Sequence, residues 1–153
     1  MFRKALVMLA GLVVALFVVA QLKTVPHSNP PSKGDLVAPP EVEAILRNSC
    51  YDCHSNQTRW PWYSRVAPLS WVIVDHVEQG RKQINFSEWG DYFPRTRKRK
   101  LQWMQRALHD EVMPLWSYRL MHPGARLNDA DRDTLDHWID TELAGPVTGS
   151  SPQ

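Results

Sequence analysis

The sequence predicts an all-α fold, a single helical domain set behind an apolar N-terminal helix. Three observations carry that prediction. Apolar residues recur at three- and four-residue steps in four separate stretches, the pattern of amphipathic helices. Acidic first turns, prolines and glycines bracket those stretches as starts and stops. No strand-rich neighbourhood appears between them. At 153 residues the chain is long enough for one domain with a true core. A net charge of only +2 gives no reason to expect a nucleic-acid partner.

Taken in order, Arg3 and Lys4 precede an unbroken apolar run from Ala5 to Ala20 before Gln21 and Lys23 restore polarity. Residues 1–22 therefore read as a secretory signal or a membrane anchor, with residues 5–22 in an inner membrane. Val18-Val19-Ala20 offers a small-residue cleavage site, but the dense Val/Leu run favours an uncleaved anchor. The two basic residues keep the N-terminus cytoplasmic, so everything after Lys23 lies outside. Residues 23–40 shift to Pro26, Pro30, Pro31, Pro39 and Pro40 among Ser, Asn, Lys and Gly, and read as an extended tether holding the domain off the bilayer.

The domain is expected over residues 41–144. Glu41 to Asn48 starts after Pro40 with acids in its first turn, and Val42, Ile45 and Leu46 share one face. It runs into Cys50-Tyr51-Asp52-Cys53-His54, the attachment signature of a c-type haem. One turn of backbone lets both thiols reach the two vinyl groups of a porphyrin, while the adjacent imidazole points at the iron. Cys50 and Cys53 are the only cysteines, which excludes a four-cysteine zinc site. A redox dithiol or a zinc site using distant histidines remains as the alternative. Export and motif agree, because c-type attachment in bacteria takes place on the outer side of the inner membrane.

After His54, the aromatics Trp60, Trp62 and Tyr63 are expected to form a rigid wall against the porphyrin, or else to plug the core without touching it. Leu69 to Gly80 is a helix, with Leu69, Val72, Ile73, His76 and Val77 on its apolar face and Gly80 closing it. His76 there reads as a core residue before it reads as a ligand. Asn85 to Trp89 turns the chain into a polar loop. Arg95, Arg97, Lys98, Arg99 and Lys100 begin the next helix, whose buried stripe is Leu101, Met104, Leu108 and Val112. The basic run is a solvated face or a dock for an acidic redox partner or anionic lipid. Met113-Pro114 breaks that helix and sets a thioether on a constrained loop, which suits a distal iron ligand; Met121, His122 and His76 are the competitors. Asn128 or Asp129 caps a last helix carrying Leu135, Trp138, Ile139 and Leu143, stopped by Gly145-Pro146 and expected to cross the helix before the cysteines. Residues 145–153 read as a disordered tail.

On these residues the chain resembles the small bacterial haem-binding domain family with one CxxCH. The resemblance rests on Cys50, Cys53, His54 and Ser55; Thr58, Pro61, Trp62 and Tyr63; His76 and Gly80; Asn85-Phe86-Ser87 with Trp89; Met113-Pro114; and Tyr118, His122 and the Leu127 to Trp138 region. It covers roughly residues 39 to 143. It implies a cytochrome c-like helical domain wrapped around one covalent haem c, often carried on an N-terminal anchor. His54 then transfers as proximal ligand and Cys50 and Cys53 as thioether attachments, with Met113 and His122 both at positions the family pattern uses.

The leading expectation is a one-electron carrier anchored in the bacterial inner membrane as a single-pass protein with its C-terminal domain in the periplasm, its redox partner unidentified. A haem sensor or small peroxidase using His76 or His122 at an open distal site is the alternative, and a non-haem thiol or metal module is the third. No triad, phosphate loop or carboxylate pair stands out, which favours a carrier over an enzyme.

Overall fold

A computed structural model of the chain describes residues 2–145, and the expected tail after Gly145 lies outside the described residues. Those residues form seven α-helices and three short 3-10 turns, with no strand among them. Helix α1, Phe2–Gln21, is apolar and buries none of its residues against the domain. The other helices are α2 (Pro40–Ser49), α3 (Tyr51–His54), α4 (Leu69–Gln83), α5 (Pro94–His109), α6 (Trp116–Met121) and α7 (Asp129–Ala144).

Helix α2 begins with Pro40 in its first turn, where a missing N–H costs nothing, and buries Val42 and Leu46. Helix α7 starts on a capping box in which the Asn128 side chain accepts from the Asp131 amide and the Asp131 carboxylate accepts from the Asn128 amide. As expected, α7 packs across α2, and it also packs along α5. Their apolar faces close one core: Val42, Leu46, Leu101, Met104, Leu108, Leu135, Trp138 and Ile139, together with Tyr51, Ile84, Phe86, Trp89 and Leu36.

Three local expectations are corrected, and one helix is added. Helix α4 does not stop at Gly80 but runs through it to Gln83, and the helix ends where Ile84 turns extended. The stretch from Asn85 to Trp89, expected as a polar loop, enters a 3-10 turn over Phe86–Asp91, and Asn85, Phe86, Ser87 and Trp89 are all buried. It is held inside by hydrogen bonds from the Asn85 amide group to the Asn56 side chain and from the Asn56 N–H to the Ser87 hydroxyl. Val112 leaves the buried stripe of α5 because the helix ends at His109; Glu111 adopts a left-handed φ of 54° and turns Val112 outward. Lastly, Trp116–Met121 is helical although it buries no residue and carries no periodic apolar stripe.

The proline-rich segment carries no helix, yet it is fastened to the domain along its length. The Lys33 and Leu36 amides donate to the Ser87 and Phe86 carbonyls, Gly90 donates to Gly34, and Leu36 enters the core. Arg81 reaches the Ser28 carbonyl and the Asn29 side chain. The basic run is likewise partly structural: Arg97 is buried, donating to the Trp89 and Gly90 carbonyls, and Lys100 caps the Gln83 carbonyl over the Tyr92 ring. Arg95, Lys98 and Arg99 stay exposed.

Candidate haem site

The two cysteines sit at a break between helices. Cys50 leaves helical geometry (φ −126°, ψ −38°), ends α2 through its N–H to the Leu46 carbonyl, and with its own carbonyl accepts from the amides of Cys53 and His54, so that α3 is one turn hung on Cys50. That turn places Cys50, Cys53 and His54 on a single cavity of about 310 Å³. Both thiols are free, not joined as a disulfide.

His54 is buried, and its ring is oriented by backbone. Nδ1 lies 3.0 Å from the Gly80 carbonyl and 3.2 Å from that of Ile84. A carbonyl can only accept, so Nδ1 carries the proton and Nε2 keeps its lone pair. This is the arrangement a metal-ligating histidine needs, with one nitrogen donating to the protein and the other left for the metal. Burial also pushes the imidazole pKa down, which keeps the ring neutral.

Gly80 explains how the carbonyl comes so close. A Cβ at this position would lie 2.5 Å from the Cys53 carbonyl oxygen and 3.2 Å from the Cys53 Cβ. Helix α4 therefore touches α3 backbone to backbone at the cysteine, and the same residue supplies the acceptor for His54.

The remaining wall of the cavity comes from His76, Gln79 and Gln83 on α4, Trp103 on α5, and Met113, Pro114, Leu115 and Tyr118 beyond it. Met113 also lines a smaller cavity of about 40 Å³ with Cys50, His54 and Trp103. Of the competing distal candidates, His76 faces the main cavity, whereas Met121 and His122 line a neighbouring one of about 270 Å³. The two larger cavities share Cys53, His76, Leu115 and Tyr118. Tyr63 lines the neighbouring cavity, with its hydroxyl 3.4 Å from His122 Nε2. Trp60 and Trp62 line neither. Trp60 packs edge-on against His27 of the proline-rich segment, and the 3-10 turn at Trp62–Arg65 swings Trp62 to the surface.

Asp52, inside the motif, is a residue whose role the sequence did not announce. Its buried carboxylate accepts from the Arg59 N–H and guanidinium and, at 2.7 Å, from the Tyr118 hydroxyl. It thereby ties the turn of the cysteines to the loop after it and to α6.

The thiols are half-buried on the cavity wall, and desolvation pushes Cys50 up to about 12 and Cys53 up to about 11. In chain folded without haem, both are expected to resist iodoacetamide at pH ~8, where an ordinary thiol with a pKa of about 8.5 reacts readily. The folded values lie above the unfolded one, so their contribution to stability is complete below pH ~8.5 and is lost as pH rises through about 11 to about 12. Alkaline denaturation of that haem-free chain should begin in this window, and covalent blocking of both sulfurs should remove it.

The donor set, the oriented imidazole and the apolar cavity fit a haem c held by Cys50, Cys53 and His54. Among the described residues no cluster of three or more His, Cys, Asp or Glu is arranged to hold a bare metal ion. Residues 10–141 match a protein family described as the haem-binding domain. Neither a curated protein nor a solved structure matches the chain.

Proposed function

The chain belongs to the haem-binding domain family, and from that premise we propose that it is a membrane-anchored, periplasmic c-type haem protein that carries single electrons. The observation that carries the reading is the placement of two thiols and a Nε2-directed imidazole on one cavity. Cys50 and Cys53 would form the thioether bonds, and His54 the proximal ligand. A bound haem iron supplies a one-electron couple whose potential depends on its axial ligands.

Met113 is the distal candidate best supported by position, since it meets both cavities that His54 lines. A neutral thioether opposite an imidazole favours a raised potential. Helix α1 is long and apolar enough to cross a membrane, a test that a signal sequence near the N-terminus also passes. The exposure of its apolar run, Ala5 to Val19, and the two basic residues in its first turn favour an anchor with the domain on the far side.

The mass of the mature protein tests the attachment: the polypeptide plus one haem is expected, and the polypeptide alone would overturn it. In the loaded protein, Met113→Ala should abolish the weak sulfur-to-iron absorption band and admit carbon monoxide to the reduced form. His76 on the same wall supports a second reading, a sensor or small peroxidase, which predicts rapid carbon monoxide binding to the unmodified protein.

A further inference from the structure

The end of α1 is not loosely joined to the domain. The Gln21 side-chain amide donates to the Ala67 carbonyl at 3.1 Å, and its oxygen accepts from the Ala67 N–H at 3.0 Å, a closed two-way pair. Two residues later, the Lys23 carbonyl accepts from the Trp71 indole, and the Lys23 ammonium lies 5.0 Å from that ring's centre. His27 then bonds the Ser64 carbonyl at 2.7 Å. The chain leaving α1 therefore has no slack before it reaches the domain.

The 20 residues of α1 span about 30 Å, the thickness of a hydrocarbon core. Gln21 then stands at the outer headgroup level, and the Ala67–Trp71 corner stands with it. Trp71 and Lys23 are the amphipathic residue types that settle at such an interface.

Around this corner the surface is unusually apolar. Leu69 and Val72 are exposed on the first turns of α4, and Trp62 is exposed on the 3-10 turn packed beside them. Trp116, Leu120 and Met121 are exposed on α6 and line the same cavity as Leu69 and Val72. Exposed Arg65 adds positive charge beside the patch, while Asp75, one turn beyond Val72, is the nearby acid on α4. A large exposed apolar patch of this kind marks a surface with a partner.

We propose that this face rests on the outer leaflet of the bilayer that α1 crosses, so that the haem domain is docked against lipid rather than swung on a tether. The proposal rests on reading α1 as an anchor. The hydrogen bonds at Ala67 and Trp71 set the height of the domain, and the apolar side chains of α4 and α6 enter the headgroup layer beside the helix.

The test uses full-length, haem-loaded protein in vesicles of phosphatidylethanolamine and phosphatidylglycerol. Photoreactive p-benzoylphenylalanine replaces one residue at a time: Val13 in α1, Leu69, Leu120, and His137 on α7, which is exposed and packs with α2 and α5. After irradiation, mass spectrometry should find phospholipid adducts from Val13, Leu69 and Leu120 and none from His137. Adducts from Val13 without any from Leu69 and Leu120 would overturn docking and leave the anchor standing. No adduct from Val13 would remove the anchor and docking together, and equal labelling of His137 would show a domain without a fixed face to the membrane.

Discussion

Replacing Gly80 by alanine is expected to destabilise the haem-free fold and, on the proposed attachment through Cys50 and Cys53, to prevent stable haem loading. The added Cβ would meet the Cys53 carbonyl oxygen at 2.5 Å, and backbone cannot step aside as the end of a side chain can. Overpacking of this kind costs about 1–3 kcal/mol, and more where the obstacle is rigid. Relief requires α4 to move away from α3, and that movement carries the Gly80 carbonyl away from His54 Nδ1. The thiol spacing and the imidazole tautomer are then disturbed together. Gly124→Ala is the matched control, since nothing lies within 4 Å of a Cβ there. Denaturant midpoints should fall for the first variant and hold for the second, and the haem content of exported protein should follow the same order. A Gly80→Ala protein that loads haem as the unmodified chain does would refute the backbone-contact argument.

Gly80 also shows where sequence reasoning stops. Glycine near the end of an apolar stripe ordinarily marks a helix stop, and periodicity alone cannot tell that use from a close helix crossing. The helices with a wide apolar stripe and a start signal, α2, α4, α5 and α7, were legible for that reason. Helix α6 was not, because Trp116, Leu120 and Met121 are exposed and form no core-facing stripe. Composition reads residues 23–40 as an extended tether. Its attachments run through the Lys33 and Leu36 amides, and backbone pairing leaves no trace in residue type.

The site divides in the same way. Cys50, Cys53, His54, His76 and Met113 could be named in advance because their chemistry is carried by side-chain identity. The acceptors at Gly80 and Ile84 could not, being carbonyls. Trp60 and Trp62 were placed near the porphyrin on hydrophobicity, which predicts burial but not against which neighbour. One finds Trp60 against His27 and Trp62 in solvent. The family resemblance named Tyr118, but its bond to Asp52, a contact across 66 residues, leaves no local signal.

Asp52→Ala should be strongly destabilising although it leaves Cys50, Cys53 and His54 intact. It removes the acceptor of the Arg59 N–H and of the Tyr118 hydroxyl at once. Most of the effect comes from those two groups, because the Arg59 side chain is 67% exposed and its ion pair is screened by solvent. Hydrogen bonds to a charged group contribute about 1.5–3 kcal/mol each, so a loss on the order of 3 kcal/mol is expected. In a cycle with Tyr118→Phe, the double variant should be less destabilised than the sum of the single ones, since each single change strands the other's partner. The phenol supplies a second readout. Burial, and then its bond to the Asp52 carboxylate, raises the Tyr118 pKa above the usual tyrosine value of about 10. Its folded value exceeds the unfolded one, so this contribution is present below pH ~10 and lost as pH climbs past it. Phenolate absorbance should therefore show one tyrosine resisting alkali in the parent and titrating at lower pH in Asp52→Ala. Additive stabilities with an unchanged tyrosine titration would mean that the carboxylate does not hold α6 to the turn of the cysteines.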